Sequence, residues 1–248
     1  SLLAELSVVI KEAAREAHGA RAVMYVMVLD EGQSVRARQL KQLQDFADPD
    51  VYALTLKLMP QMDGLDGKFR LPIIDIAIPA LKQLSLGQYK LFRGNLIALI
   101  EMDSRVDLLE WSLQKVLLNH LDGQFFKLAP QKVRYSDPAQ LVKEVGLVLS
   151  MMAHVGAEDQ SEVEAAFAAA VEALGSGGLT LLRKDQMRIE DLDRALGKLE
   201  ELKPLAKARL LKACVASIWH DQRGSAVEVE LLRAFAGVLD CPMPPRMA

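Results

Sequence analysis

The chain has 248 residues, of which 51% are hydrophobic and 5% aromatic, and its formal net charge at pH 7 is -3. The hydrophobic content excludes a disordered chain. The near balance of 30 basic and 33 acidic residues argues against nucleic acid as a partner, which requires a basic surplus. Two cysteines, Cys214 and Cys241, make no disulfide framework in a chain of this length, so we expect a reducing compartment.

The N-terminal region carries no membrane or secretion signal that we recognise. No apolar run reaches the roughly 20 residues that cross a bilayer. The first segment contains Glu5, Lys11 and Glu12 in place of a basic leader. The chain starts at Ser1 in the middle of a helical pattern. We therefore expect a part of a longer protein that does not itself insert into a membrane.

Apolar residues recur at helical spacing through the first third of the chain, which predicts an all-α fold. The pair His18-Gly19 is a predicted helix stop, since glycine suits a C-cap. The apolar stretch 20–29 is assigned to a helix because no partner strand is found. Ser34 is a predicted N-cap, Asp48-Pro49 opens the next helix, and residues 63–67 form a loop.

The remaining two thirds show the same helical pattern with further capping signals. The segment 71–84 is helical in period, and Pro79 should kink or split it. Residues 175–178 form a glycine-rich joint. The other helix starts are predicted from capping residues at Ser85-Leu86-Gly87-Gln88, Asp107 to Glu110, Ser136-Asp137-Pro138 and Ser161 to Glu164. The last helices are predicted at 189–199, 204–219 and 227–239.

Two segments, 99–111 and 217–230, resemble each other and carry the strongest functional pattern. Each has an apolar helix end, an Asp, a short turn, a capping residue, and a Glu seven positions after the Asp. The resulting pairs are Asp103 with Glu110 and Asp221 with Glu228. If the two hairpins pack about a pseudo-twofold axis, four carboxylates come together, as hard divalent cations prefer.

Helix capping explains the same residues without a metal, and it is the interpretation we prefer. Asp107 with Glu110 and Ser225 with Glu228 each fit a capping box, in which the Glu reaches back to the N–H of the cap residue. Acidic residues in a first turn also suit the helix dipole. We predict that cation binding is weak at best and that the two hairpins pack as a pair.

This repeat resembles the TerB-like domains, which are named from tellurite-resistance proteins. The segment 71–85 looks like the start of the TerB-like region at the C-terminus of some bacterial membrane-bound zinc metallopeptidases of the CAAX-prenyl-protease and HtpX type. The segments 231–234 and 239–245 look like its ending, and 20–43 looks like the stretch after the peptidase domain.

The resemblance implies a division of the chain and also has departures. It implies an N-terminal helical segment at 1–66 and a TerB-like domain at 67–248, with halves at 67–157 and 158–248. Ser104 and Gln222 stand where the family has glycine, and Gly224 stands at its β-branched position. A non-glycine residue can change a tight turn, which counts against a metal site, above all in the second half.

Other candidate sites are weaker. The zinc motif His-Glu-x-x-His is absent, and no two of the four histidines are four residues apart. The pairs His120 with Asp122 and His154 with Glu158 are explained as solvated helix ends. Core packing is preferred for Trp111 and Trp219, with an exposed partner groove as the alternative.

The implied function is a non-catalytic accessory domain of a membrane zinc metallopeptidase, on the cytoplasmic face of the membrane. It would bind a protein partner, or the parent's own peptidase domain, or sense a signal. This chain would hold no cofactor beyond a weak divalent cation, and the zinc would belong to the peptidase domain preceding Ser1. Two alternatives remain: a free-standing divalent-metal-binding stress protein of the tellurite-resistance type, and a hydrolase with an unrecognised site.

Overall fold

The computed structural model describes residues 2–102, 107–157 and 159–244, although the side chain of Leu2 is not included. Within these ranges the chain forms thirteen α-helices and three short 3-10 helices, with no β-strand. The only pairing of strand type in the described part is an isolated bridge between Tyr135 and Leu202. The predicted all-α class is therefore confirmed.

The chain divides into two compact units, an N-terminal unit ending at Leu128 and a C-terminal unit starting at Ala129. This division does not fall at the predicted boundaries, 66/67 and 157/158. Helix α6, Arg70–Leu81, packs against helices on the N-terminal side of residue 66, and its Ile73 and Ile74 are completely buried. This packing joins the segments on either side of 66/67 in one core.

The N-terminal unit contains eight of the helices. Its core is formed by leucine, isoleucine, valine and alanine side chains, with Tyr25, Tyr89, Phe92 and Trp111 among the buried rings. The helices are α1 Leu2–Glu5, α2 Val8–Arg15, α3 Ala17–Met27, α4 Gln33–Phe46, α5 Pro49–Met62, α6 Arg70–Leu81, α7 Leu86–Glu101 and α8 Leu108–Phe125.

The predicted helix stop at His18-Gly19 is wrong. The break comes earlier, at Glu16, whose backbone is extended with φ -103° and ψ 135°, and both predicted stop residues lie inside α3. A Cβ on Gly19 would lie only 2.2 Å from the carbonyl oxygen of Ala13. Gly19 is therefore needed for the close approach of α2 and α3, not for ending a helix.

Capping signals gave mixed results. The box of Ser85 and Gln88 at the start of α7 is present, and Asp48 caps α5 with Pro49 in its first turn. Ser34 lies inside α4, which is preceded by Gly32 as N-cap.

Pro79 does not split α6, because the helix continues through it to Leu81.

The C-terminal unit contains the other five helices. They are α9 Val142–Gly156, α10 Gln160–Leu174, α11 Ile189–Leu199, α12 Pro204–Ile218 and α13 Ala226–Val238. The predicted cap Ser161 is wrong, because the carboxylate of Asp159 accepts the N–H of Glu162 at 3.0 Å and so takes the N-cap position of α10. Gly175 ends α10 in the left-handed conformation, with φ 67°.

Candidate functional sites

Three of the four predicted carboxylates lie within the described residues, and these three do not all belong to one unit. Asp103 lies outside the described residues, Glu110 belongs to the N-terminal unit, and Asp221 and Glu228 belong to the C-terminal unit. The predicted packing of the two hairpins stays a prediction. Among the described residues no group of three or more His, Cys, Asp or Glu side chains could hold a metal ion.

Glu110 completes a capping box at the start of α8. The backbone N–H of Asp107 donates to its carboxylate over 3.2 Å, and its own backbone N–H donates to the Asp107 carboxylate over 2.8 Å. The capping role predicted for this residue is confirmed.

Glu228 completes the corresponding box at the start of α13, and it is buried. The backbone N–H of Ser225 donates to the carboxylate over 2.7 Å, and the N–H of Glu228 donates to the Ser225 hydroxyl over 3.3 Å. The carboxylate packs onto the last residue of α9, since a Cβ on Gly156 would lie 1.9 Å from one carboxylate oxygen of Glu228. Glu228 therefore combines a cap with a contact between α13 and α9.

Asp221 shapes the turn that precedes this box. Its carboxylate accepts the backbone N–H of Arg223 over 2.8 Å. The next residue, Gln222, has φ 65°, in the left-handed region that favours glycine. This turn therefore keeps a left-handed residue although the residue is not glycine.

The two tryptophans differ in how far their side chains are buried. Trp111 is buried, as predicted for core packing, whereas Trp219 is 38% exposed. The core interpretation of Trp219 is therefore wrong. Trp219 is the C-cap residue of α12, and its ring lies close to Gly224, where a Cβ would approach the ring to 3.5 Å.

The weaker histidine candidates make backbone contacts. The Nδ1 atom of His120 lies 2.7 Å from the carbonyl oxygen of Val116. The carboxylate of Asp122 instead accepts hydrogen bonds from the hydroxyl of Tyr89 and from two nitrogens of Arg93. Asp122 thus holds α8 against α7.

His154 helps to hold the connection between α10 and α11 in the C-terminal unit. Its Nε2 atom lies 2.8 Å from the carbonyl oxygen of Leu182, and the N–H of Leu182 donates to the hydroxyl of Ser150 over 3.0 Å. Ser150 and His154 are four residues apart on α9 and so share one helix face. From that face they contact the backbone N–H and the backbone carbonyl of Leu182. Glu158, its predicted partner, lies outside the described residues.

A methionine-lined groove in the N-terminal unit is the concave site that the sequence analysis missed. It encloses about 260 Å³ and is lined by the end of α3, the end of α5, the loop after α5 and the start of α8. The apolar side chains include Val26, Met27, Leu29, Met59, Met62 and Leu109. We call this cavity the methionine groove, and its apolar lining makes it a candidate binding site.

Charged side chains stand around the methionine groove. Arg36 donates through Nε to the carbonyl oxygen of Asp30 over 2.6 Å, and Arg70 donates to the carbonyl oxygen of Leu109 over 3.0 Å. Glu31 and Asp63 contribute two carboxylates, so the formal charges of the lining cancel. The groove has an apolar floor and a rim of both signs.

The buried side chain of Gln39 fixes one wall of the groove. Its amide nitrogen donates to the carbonyl oxygens of Val28 and Leu99, at 3.1 and 2.9 Å, and its amide oxygen accepts the N–H of Asp30 at 2.8 Å. These bonds satisfy backbone groups at the ends of α3 and α7. The chain leaving α3 is thereby held where it lines the groove.

A sequence signal for the groove did exist. Met24 with Met27, and Met59 with Met62, are two methionine pairs at i, i+3 spacing, which places each pair on one helix face. The sequence did not indicate that α3 and α5 pack against each other. That packing brings Met27 to the same cavity as the second pair.

Comparison of the chain with protein-family models, curated proteins and solved structures finds no match. None of the described helices is long and apolar enough to cross a membrane.

Proposed function

We propose that this chain is a non-catalytic accessory domain that binds a protein partner, and that the methionine groove receives an apolar segment of that partner. The observation that carries the proposal is a solvent-open cavity with three methionines in its lining. Methionine is flexible and polarizable, and it is common on surfaces that accept varied apolar partners. A rim of mixed charge around an apolar floor is also the usual anatomy of a protein interface.

We further propose that the domain belongs to a membrane zinc metallopeptidase of the CAAX-prenyl-protease and HtpX type. The resemblance of 71–85, 231–234 and 239–245 to the TerB-like region of those proteins supports this. The left-handed φ of Gln222 also fits the Asp-Gly turn of that family. The partner would then be the peptidase domain itself or a protein that regulates it.

The alternative of a divalent-metal-binding stress protein is placed second. Glu110 and Glu228 each accept a backbone N–H in a capping box, so metal binding would compete with capping at both positions. Calcium requires six to eight oxygen ligands. If each of the four predicted carboxylates supplies one oxygen, only four of these ligands are present.

The coding sequence upstream of Ser1 provides the first test. We expect it to encode a helix with His-Glu-x-x-His flanked by apolar spans. An initiation codon immediately before Ser1 would contradict the peptidase proposal and favour the free-standing alternative.

Docking in the methionine groove can be tested in the intact protein by photo-crosslinking. A photoreactive amino acid at Leu65, on the groove, should give one crosslinked apolar peptide identified by mass spectrometry. The crosslink should disappear in Met59→Glu, which adds a charge to the apolar floor, and persist in Met59→Leu, which keeps it apolar.

The same photoprobe at Leu205 is the control. Leu205 is 83% exposed and lies outside the groove, on α12 of the C-terminal unit. Equal crosslinking to the same peptide from both positions, or an unchanged crosslink in Met59→Glu, would show that the groove is not the docking site.

A further inference from the structure

Three methionines, from two helices, line the methionine groove. Met27 is the last residue of α3, and Met59 and Met62 lie in the last turn of α5, three residues apart. Side chains at this spacing have Cβ atoms about 5–6 Å apart. Since α3 packs against α5, Met27 lines the same cavity as the pair on α5.

Two of these methionines differ from those that fill the cores. Met24 and Met152 are completely or almost completely buried, as expected of flexible side chains that close gaps. Met27 and Met59 are instead partly exposed, and about 260 Å³ remains open beside them. Met62 is 7% exposed and also belongs to the core, so core filling accounts for Met62 but leaves Met27 and Met59 unexplained.

The donor set defines the chemistry of a ligand. Thioethers are neutral, soft donors that select Cu(I) among biological metals, whereas Zn(II) and Cu(II) favour thiolate and imidazole. The described lining of the groove contains neither cysteine nor histidine. Its two arginines and two carboxylates cancel in formal charge, so affinity for a monovalent cation must come from the sulfurs.

We propose that Met27, Met59 and Met62 form a thioether site for a soft monovalent cation, Cu(I). The site is distinct from the docking role of the groove, because docking needs only an apolar lining and metal binding needs sulfur. Substitution of methionine by leucine separates the two, since it keeps the volume and apolar character and removes the donor.

The test uses Ag(I) as a redox-inert probe and the full chain labelled with [methyl-13C]methionine. Cys241 is partly exposed and would compete as a soft ligand, so the titration is done in a Cys241→Ser background. We expect the methyl signals of Met27, Met59 and Met62 to shift together and to saturate at one equivalent. Those of Met151 and Met152, in the other unit, should not move. A repeat with Cu(I) without oxygen should shift the same three signals.

Leucine variants complete the test. Met59→Leu and Met62→Leu should each weaken Ag(I) binding about tenfold or more, while the control Met152→Leu should leave it unchanged. Absence of a saturable shift, methyl signals that move with different midpoints, or unchanged affinity in Met59→Leu would each overturn the site. None of these results would affect the crosslinking prediction for Met59→Leu, so the two proposals fail separately.

Discussion

The carboxylate of Glu228 packs directly onto Gly156, leaving no room for a side chain at that position. A Cβ there would lie 1.9 Å from a carboxylate oxygen and 3.0 Å from Cγ of Glu228. The same carboxylate accepts the N–H of Ser225, so one side chain makes both a contact with α9 and one of the two hydrogen bonds of the capping box of α13.

Gly156→Ala should therefore destabilise the C-terminal unit, although alanine is ordinarily the better helix former. The new methyl group must displace the carboxylate from the N–H of Ser225, and the loss of this hydrogen bond costs about 0.5 to 1.5 kcal/mol. Urea unfolding monitored by circular dichroism measures the change in the free energy of unfolding.

Gly197→Ala is the matched control for Gly156→Ala. Gly197 lies inside α11 and a Cβ there meets no atom within 4 Å, so this change should stabilise by about 0.5 to 1 kcal/mol. Adding Glu228→Ala should remove most of the penalty of Gly156→Ala. A Gly156→Ala variant as stable as the unmodified chain would refute the contact.

Gln222→Gly should stabilise the C-terminal unit. The φ of Gln222 is 65°, a conformation that costs a residue with a Cβ about 1 to 2 kcal/mol relative to glycine. The greater freedom of glycine in the unfolded chain removes part of this gain, which leaves about 0.5 to 1 kcal/mol. Thermal unfolding is the measurement. Gln222→Ala keeps a Cβ and should give no increase, and an equal increase in both variants would exclude backbone strain as the cause.

Ser150→Ala and Ser217→Ala should change the free energy of unfolding by different amounts, although both serines are buried in the C-terminal unit. The Ser150 hydroxyl accepts the N–H of Leu182, and its removal leaves that donor without its partner, at a cost of about 1 to 3 kcal/mol. The Ser217 hydroxyl is buried with no hydrogen-bond partner in the described part of the chain, so its removal should be neutral or stabilising. Equal losses in the two variants, measured by urea unfolding, would disprove the role of Ser150 in holding Leu182.

Alkaline pH should destabilise the C-terminal unit through Cys214. Complete burial raises the pKa of this thiol from 9.0 to about 12, so the folded chain retains a proton that the unfolded chain releases. The contribution of the thiol is thus fully present below pH 9 and is lost between about pH 9 and 12, by up to about 1.4 kcal/mol per pH unit.

The dependence on Cys214 is isolated with Cys214→Ala. Its unfolding free energy should decline less steeply than that of the unmodified chain between pH 9 and 11, although alanine lowers the absolute value by leaving a cavity. At pH 8, a thiol reagent should modify the partly exposed Cys241 before Cys214. Identical slopes in the two proteins would contradict the burial effect.

Local sequence was sufficient for the features that depend on nearby residues. The all-α class and the boxes of Ser85, Asp107 and Ser225 follow from patterns that span only a few positions, and the structure has them. The predicted N-cap at Ser161 was wrong because the nearby Asp159 competes for the same N–H donors. Sequence alone does not rank two cap candidates that lie so close together.

Only the tertiary structure decided where helices meet. Gly19 looks like a helix stop in the sequence. In the structure it instead allows α2 and α3 to approach each other, because the backbone of Ala13 lies where a Cβ would be. The methionine groove combines the ends of α3 and α5 with Leu109 of α8, positions up to 83 residues apart from Val26 to Leu109. The spacing of residues along a helix determines which of them share a face, whereas the face that meets a given partner depends on how the whole core packs.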